Sequence, residues 1–204
     1  MHLGGVGNRE ESFLLFWAGE YLDFAGQKRY ILSDFKPGDK LKAKGEIMAK
    51  TTPATRQLDD EKIRYELFEY HYDKSAHKIG MQAAEDLGVE AARVFKTLMA
   101  LVDGQPVCVL VPSDNELSMK KLAHVFGGKS AKMMPPAEAE KATGYVVGGI
   151  SPLGRRKASP VAIDAQALEF ETIFVNGGGR GLQICIEPGA LIDVLRAKVE
   201  SLVA

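Results

Sequence analysis

The chain has 204 residues, 46% of them hydrophobic and 26% charged, with a formal net charge of -1. That length buries a real core in one domain plus an appendage, and so near-neutral a balance argues against indiscriminate nucleic-acid binding. Two cysteines define no disulfide framework: Cys108 and Cys185 sit in apolar, strand-like runs, which suits packed free thiols and a reducing cytoplasm.

Residues 1–47 read unlike the rest. Stretches 13–17 and 30–32 are strand-like, and 36–44 is a charged, turn-rich connection. Segment 13–18 is apolar but short, and Glu10 and Glu11 precede it where a signal peptide carries positive charge. No other segment has the length to span a bilayer. At Met48 the composition changes, and Met48-Ala49-Lys50-Thr51-Thr52-Pro53 reads as a protein start; the codons of Gly45-Glu46 can contain a GGAG ribosome-binding sequence. The expected organisation is an extension over 1–47, either a mis-assigned start or an arm such as a hairpin, and one domain over 48–204.

From there the elements follow in order. Thr52 is placed to cap a helix over 53–61, with Pro53 at its first position. A strand over 63–70 turns Tyr65 and Leu67 to one face and Phe68 and Tyr70 to the other. His71 and His77 lie in the polar loop that follows, without a cysteine or carboxylate cluster at ligand spacing, so no metal and no cofactor is expected. A helix over 81–87 stops at Gly88.

Residues 94–102 make a central strand. Alternation puts Lys96 on the face of Val94, Leu98 and Ala100, where an ammonium must snorkel, pair with a carboxylate or line a polar pocket. Asp103-Gly104 turns into a strand over 107–111, and a helix capped by Ser113 or Asn115 carries Leu117, Lys121, Leu122 and Val125 before ending at Gly127-Gly128. Gly128-Lys129-Ser130 mimics the end of a phosphate-binding loop, but Ala123 stands where that motif starts with glycine, and a helix precedes it rather than a strand.

A short helix over 136–143 leads into Gly144-Tyr145-Val146-Val147-Gly148-Gly149-Ile150-Ser151-Pro152-Leu153-Gly154. Here a strand over 145–147 delivers a bare glycine loop able to approach a ligand closely. Strands over 161–163 and 171–175, a second glycine loop at Gly177-Gly178-Gly179-Arg180-Gly181, a strand over 182–186 and a helix from Pro188 with Leu191, Leu195, Val199 and Leu202 inward complete the chain. Lys120, Lys121, Lys129, Lys132, Lys141, Arg155, Arg156 and Lys157, against only Glu138 and Glu140, form a candidate phosphate-facing surface. Hairpins interrupt the helix–strand alternation, so the expected class is α+β on a mixed, partly antiparallel sheet flanked by helices.

Thr52-Pro53-Ala54 with Leu58, Phe95-Lys96-Thr97-Leu98, the stretch from Thr143 to Gly154, and Gly177-Gly178 with Arg180-Gly181-Leu182 occur in the order found in the YbaK family, which this chain resembles from about Met48 onward. That family contains the Cys-tRNA(Pro) deacylases and is related to the editing domain of bacterial prolyl-tRNA synthetases. The resemblance implies hydrolysis of the ester between cysteine and tRNA(Pro), the substrate thiol attacking the carbonyl. It implies Lys96 as principal catalytic residue, with Gly148 and Gly149 amides facing the ester and Tyr70 flanking the pocket. Ser151, Asn176, Gly178, Arg180 and Gln183 fall on its substrate side. Several close relatives carry serine and aspartate where this chain has Asn176 and Gln183, which opens the alternative of another small amino acid such as alanine on tRNA(Pro). Prolyl-tRNA synthetase is the implied protein partner; a non-catalytic aminoacyl-tRNA or synthetase-binding module is the competing class. The residues themselves fit an enzyme without its own nucleophile: no Ser/His/Asp or Cys/His arrangement is present, and an aminoacyl ester is already activated.

Overall fold

The computed structural model describes residues 51–73 and 79–204, together with two short strands, β1 (Tyr21–Leu22) and β2 (Lys28–Arg29). The chain divides into two compact units, Met1–Lys40 and Leu41–Ala204. In the first, β1 and β2 pair antiparallel; the expected strands at 13–17 and 30–32, the connection at 36–44 and His77 lie outside the described residues.

The second unit opens with α1 (Pro53–Asp60). Thr52 accepts the Thr55 N–H at 3.1 Å while Thr55 Oγ1 accepts the Thr52 N–H at 2.9 Å, a reciprocal cap that satisfies two donors left over at a helix start. Next come β3 (Glu66–Glu69), α2 (Ile79–Leu87), β4 (Val94–Val102) and β5 (Gln105–Pro112). α3 (Met119–Val125), β6 (Ala131–Met133) and α4 (Pro136–Thr143) follow. The chain closes with β7 (Val161–Asp164), β8 (Ile173–Asn176), β9 (Leu182–Ile186), α5 (Pro188–Leu195) and β10 (Lys198–Glu200).

Eight strands form one mixed sheet in the order β10-β7-β5-β4-β8-β9-β3, with β6 on β4. Alternation along each strand sorts side chains between two faces. Phe95, Met99, Leu110, Ile163, Val175 and Ile184 pack with Ala54 and Leu58 of α1, Ala139 of α4 and Leu191 of α5. On the opposite face, Ala83, Ala84 and Leu87 of α2 cover Val94 and Phe174, while Leu122 of α3 covers Ala100, Val109 and Val111. This is the mixed, helix-flanked sheet expected, closed into three layers.

Three local expectations differ. α5 stops at Arg196, whose φ of 48° is a left-handed cap, so Val199 joins β10 beside β7 and Leu202 reaches the other face of the sheet. Asp164 fixes this ending, its carboxylate accepting from the Leu202 and Val203 N–H groups. α3 is capped by Ser118 rather than Ser113 or Asn115, because Leu117 bridges Val203 in extended form before the helix begins. Residues 145–147 are not a strand: α4 ends at Gly144 in the left-handed region, Gly149 N–H closes a turn onto the Val146 carbonyl, and no strand edge is offered for pairing.

Candidate functional site

The site follows from a gap in the sheet. β4 pairs with β8 only at Val94↔Phe174 and Phe95↔Val175, and with β6 only from Ala100↔Met133 onward. Between those ladders, residues 96–99 have no strand partner on that edge among the described residues. Main-chain direction within the gap is set by two bonds. Ser113 N–H donates to the Val94 carbonyl at 2.8 Å and Met134 N–H to the Met99 carbonyl at 3.0 Å. Even-numbered residues of β4 therefore turn their peptide groups toward β5 and odd-numbered ones toward the gap, which leaves Thr97 facing the opening.

A cavity of about 530 Å³ fills the split. On the α2 face its floor is a polar row that begins where the helix stops covering the sheet. Val94, Phe174 and Cys185 pack under α2; two residues further along β4 and β8, on the same face, come Lys96 and Asn176, and Gln183 pairs with both Asn176 and Phe68. Tyr70 follows on from β3 at the same wall. Lys96 thus emerges at the seam between the α2 and α3 clusters, where its Nζ donates to the Asn115 carbonyl at 2.6 Å. Of the three fates open to it from sequence, it lines a polar pocket. Met133, Met134, Ala139, Val147 and Ile150 supply the apolar wall.

Among the described residues, four buried side-chain polar atoms have no hydrogen-bond partner: Tyr70 hydroxyl, Thr97 Oγ1, Ser113 Oγ and Gln183 Oε1. All four residues line this cavity. Such atoms are rare in folded proteins and costly, about 1–3 kcal/mol each when left unpaired, so their convergence makes this cavity the candidate ligand site. Burial raises the Tyr70 hydroxyl above its usual pKa, against a smaller lowering from the Gly181 main chain and the nearby Gln183 carboxamide, which approaches without completing a hydrogen bond. Tyr70 is thereby held as a neutral donor. Among the described residues no histidine, cysteine or aspartate lines the cavity, and Glu116 is the one carboxylate. The described residues contain no cluster of three or more metal-ligating side chains.

The expected site residues divide into two groups. Lys96, Tyr70, Gly148, Asn176 and Gln183 come together around the cavity. Gly149, Ser151, Gly178 and Arg180 do not line it; they build the loops. Gly149 N–H donates to the Val146 carbonyl at 2.9 Å, and a Cβ there would press on the Arg180 amide at 2.9 Å. Ser151 is fully buried and its hydroxyl accepts the Leu153 N–H. Gly178 packs beneath the Tyr145 ring, and Arg180 donates to the Val147 carbonyl at 3.0 Å while its guanidinium sits over Tyr72. Gly148, at φ 86°, packs against the Tyr72 hydroxyl, which leaves no room for a side chain.

From sequence Ser113 is a cap candidate and Thr97 part of the family-like stretch, and neither of these nor Met133 and Met134 was expected at the site. A polar residue closing the apolar run 107–112 was the one local signal for Ser113; the others depend on where β6 and β8 part. The Gly128-Lys129-Ser130 turn is an anion nest already filled from within, since Lys129 N–H, Ser130 N–H and Ser130 Oγ all donate to the exposed Asp103 carboxylate and lower its pKa.

A three-layer domain with a cavity at a split in a mixed sheet, carrying a lysine and a glycine-loop rim, is the class that fold and site define. The aminoacyl-tRNA editing domain profile matches residues 73–194, and the chain belongs to that family, whose YbaK-like members it resembles. A protein of Enterococcus faecalis, provisionally named Cys-tRNA(Pro)/Cys-tRNA(Cys) deacylase EbsC, is 35% identical over 144 residues, covering 70% of this chain and 87% of that one. A proline–tRNA ligase of Acidithiobacillus ferrooxidans is 34% identical over 87 residues, 43% of this chain and 15% of the ligase. The crystal structure of a candidate trans-editing enzyme for prolyl-tRNA synthetase superposes with a TM-score of 0.65 at 22% identity, covering 76% of this chain and 99% of that one, a likeness of fold. No helix among the described residues is long and apolar enough to cross a membrane.

Proposed function

We propose that this editing-domain protein is a trans-acting deacylase that cleaves the ester joining cysteine to tRNA(Pro). The observation that carries the reading is the convergence of Lys96, Tyr70, Gly148, Asn176 and Gln183 on one cavity in a chain of this family. The name given to the similar Enterococcus faecalis protein supports cysteine as the amino acid.

In this mechanism Lys96 holds the aminoacyl carbonyl and favours the negative charge that develops on its oxygen, with the Gly148 main chain at the loop rim. The substrate thiol gives up its proton and sulfur bonds to the carbonyl carbon; the carbon–oxygen bond to the ribose breaks, and the ribose oxygen takes a proton. Water then opens the small thiolactone to free cysteine. Chain groups position and polarise and none becomes acylated, which suits a cavity whose described lining holds no histidine or cysteine.

The family match covers residues 73–194; in this reading residues 1–47 take no part in the reaction and residues 48–204 are the working domain. tRNA(Pro) and prolyl-tRNA synthetase are the partners of this reading, and the cytoplasm is where it acts. Gln183 favours a second reading: a neutral carboxamide at the floor of the cavity suits a shifted preference among small amino acids. One methylene in a pocket discriminates by only about 1–3 kcal/mol, so thiol chemistry carries most of the selectivity in the first reading. Single-turnover deacylation of Cys-tRNA(Pro), Ala-tRNA(Pro) and Pro-tRNA(Pro) separates them. Rapid loss of the cysteine ester alone is expected; equal loss of the alanine ester contradicts thiol assistance.

A further inference from the structure

The Ser113 hydroxyl is not used by the hydrogen bonding of the fold: Ser113 is 5% exposed, and among the described residues its Oγ has no hydrogen-bond partner. Its N–H donates to the Val94 carbonyl, which extends the β4–β5 ladder one step past Phe95↔Pro112 and puts Ser113 on the face that carries Val94 and Lys96. Ser113 and Lys96 are therefore diagonal neighbours across two strands, close enough to touch one small ligand. The wall behind Ser113 is Gly80 of α2, where an added Cβ would fall on the Ser113 hydroxyl. Gly80 and Ser113 both line the cavity.

We propose that Ser113 is a specificity-determining residue, whose hydroxyl hydrogen-bonds the polar group of a small aminoacyl side chain. It thereby favours esters bearing a β-hydroxyl or β-thiol over the alanine ester. The inference rests on the deacylase reading and deepens it. A hydroxyl or thiol brought to Ser113 pairs an atom that a methyl group leaves buried and unpaired, and a site built to hydrogen-bond its substrate rejects an analogue lacking the group far better than size alone does. Thr97 Oγ1, also without a partner, lines the same cavity.

The test compares wild type, Ser113→Ala and Gly80→Ala on tRNA(Pro) carrying cysteine, serine or alanine. Ser113→Ala is expected to lower kcat/KM for the cysteinyl ester by about 10- to 100-fold and to weaken binding of the non-hydrolysable seryl amide by a similar factor, with a much smaller effect on the slow loss of the alanyl ester. Gly80→Ala keeps the hydroxyl but displaces it, so it shifts the same ratio in the same direction. A fall shared equally by all three esters, or unchanged ratios, overturns the proposal. Binding of 3′-serylamido- and 3′-alanylamido-adenosine, which cannot be hydrolysed, separates the two layers of inference. If no ester is cleaved yet the seryl amide binds better and loses that advantage in Ser113→Ala, the role of Ser113 stands and the deacylase reading falls. If the two amides bind alike to wild type, the role of Ser113 falls.

Discussion

Asn176 ties the two glycine loops to each other through Gly148: its Nδ2 donates to the Gly148 carbonyl at 3.3 Å and to the Gly179 carbonyl at 3.2 Å. Its Oδ1 accepts from Gly178 N–H at 2.8 Å and Gly179 N–H at 3.2 Å. The carboxamide is spent on the rim of the cavity. Asn176→Ala should therefore cost about 1–3 kcal/mol in urea unfolding and lower kcat more than it raises KM. Asn176→Asp, which sets a carboxylate oxygen against two carbonyls, should be worse than alanine at pH 7. An aspartate variant as stable as wild type contradicts this bracing role.

Gly148→Ala tests the rim from the other side. The substitution meets both a φ of 86° and the Tyr72 hydroxyl, 2.6 Å from the new Cβ. Left-handed backbone costs an alanine about 1–2 kcal/mol, and the collision adds to that. Tyr72→Ala in the same chain should recover the collision but not the backbone cost. Full recovery would show that the conformation at 148 carries no strain.

Alkaline stability has a defined sign. Burial raises the Cys108 thiol from 9.0 to about 11 and the Tyr145 hydroxyl from 10.0 to about 12. Between those values the unfolded chain has released protons that the folded chain keeps, so stability is complete below pH 9 and falls as pH rises from about 9 to about 12. Urea midpoints at pH 8, 9.5 and 11 should decline, and Cys108→Ala should decline less steeply from a lower start. A parallel slope in that variant removes Cys108 from the account.

Lys141, Arg156 and Lys157 meet at the end of α4, where Arg156 N–H and Lys157 N–H donate to the Thr143 and Ala142 carbonyls. All three are exposed. If they face tRNA phosphates, replacing each with glutamine should reduce the slope of log K against log salt by about 1. Unchanged slopes place the tRNA elsewhere.

What could be foreseen was what local chemistry decides. The helix over 136–143 and the strands over 94–102 and 182–186 match α4, β4 and β9, because caps, turn residues and apolar alternation act within a few residues. Tyr145-Val146-Val147 misled for the same reason: its β propensity is real, but Val146 is 50% exposed and meets no partner edge, while Tyr145 is buried with its hydroxyl on the Leu153 carbonyl. Val199 and Leu202 kept an apolar rhythm that serves a strand as well as a helix. Lys96 stood out as a charge in an apolar strand. Thr97 and Ser113 did not, since their surroundings depend on β6 and β8 diverging, and β6 has only three residues, Ala131, Lys132 and Met133, to announce it.

The most direct measurement is deacylation of Cys-tRNA(Pro) by wild type and by Lys96→Ala, with the chain begun at Met48. The account predicts that the shortened wild type is fully active. It also predicts that Lys96→Ala loses about 100-fold or more in kcat/KM while melting within a few degrees of it. A Lys96→Ala protein within about threefold of wild type would contradict the central claim that this lysine, held at the seam by Asn115, carries the reaction.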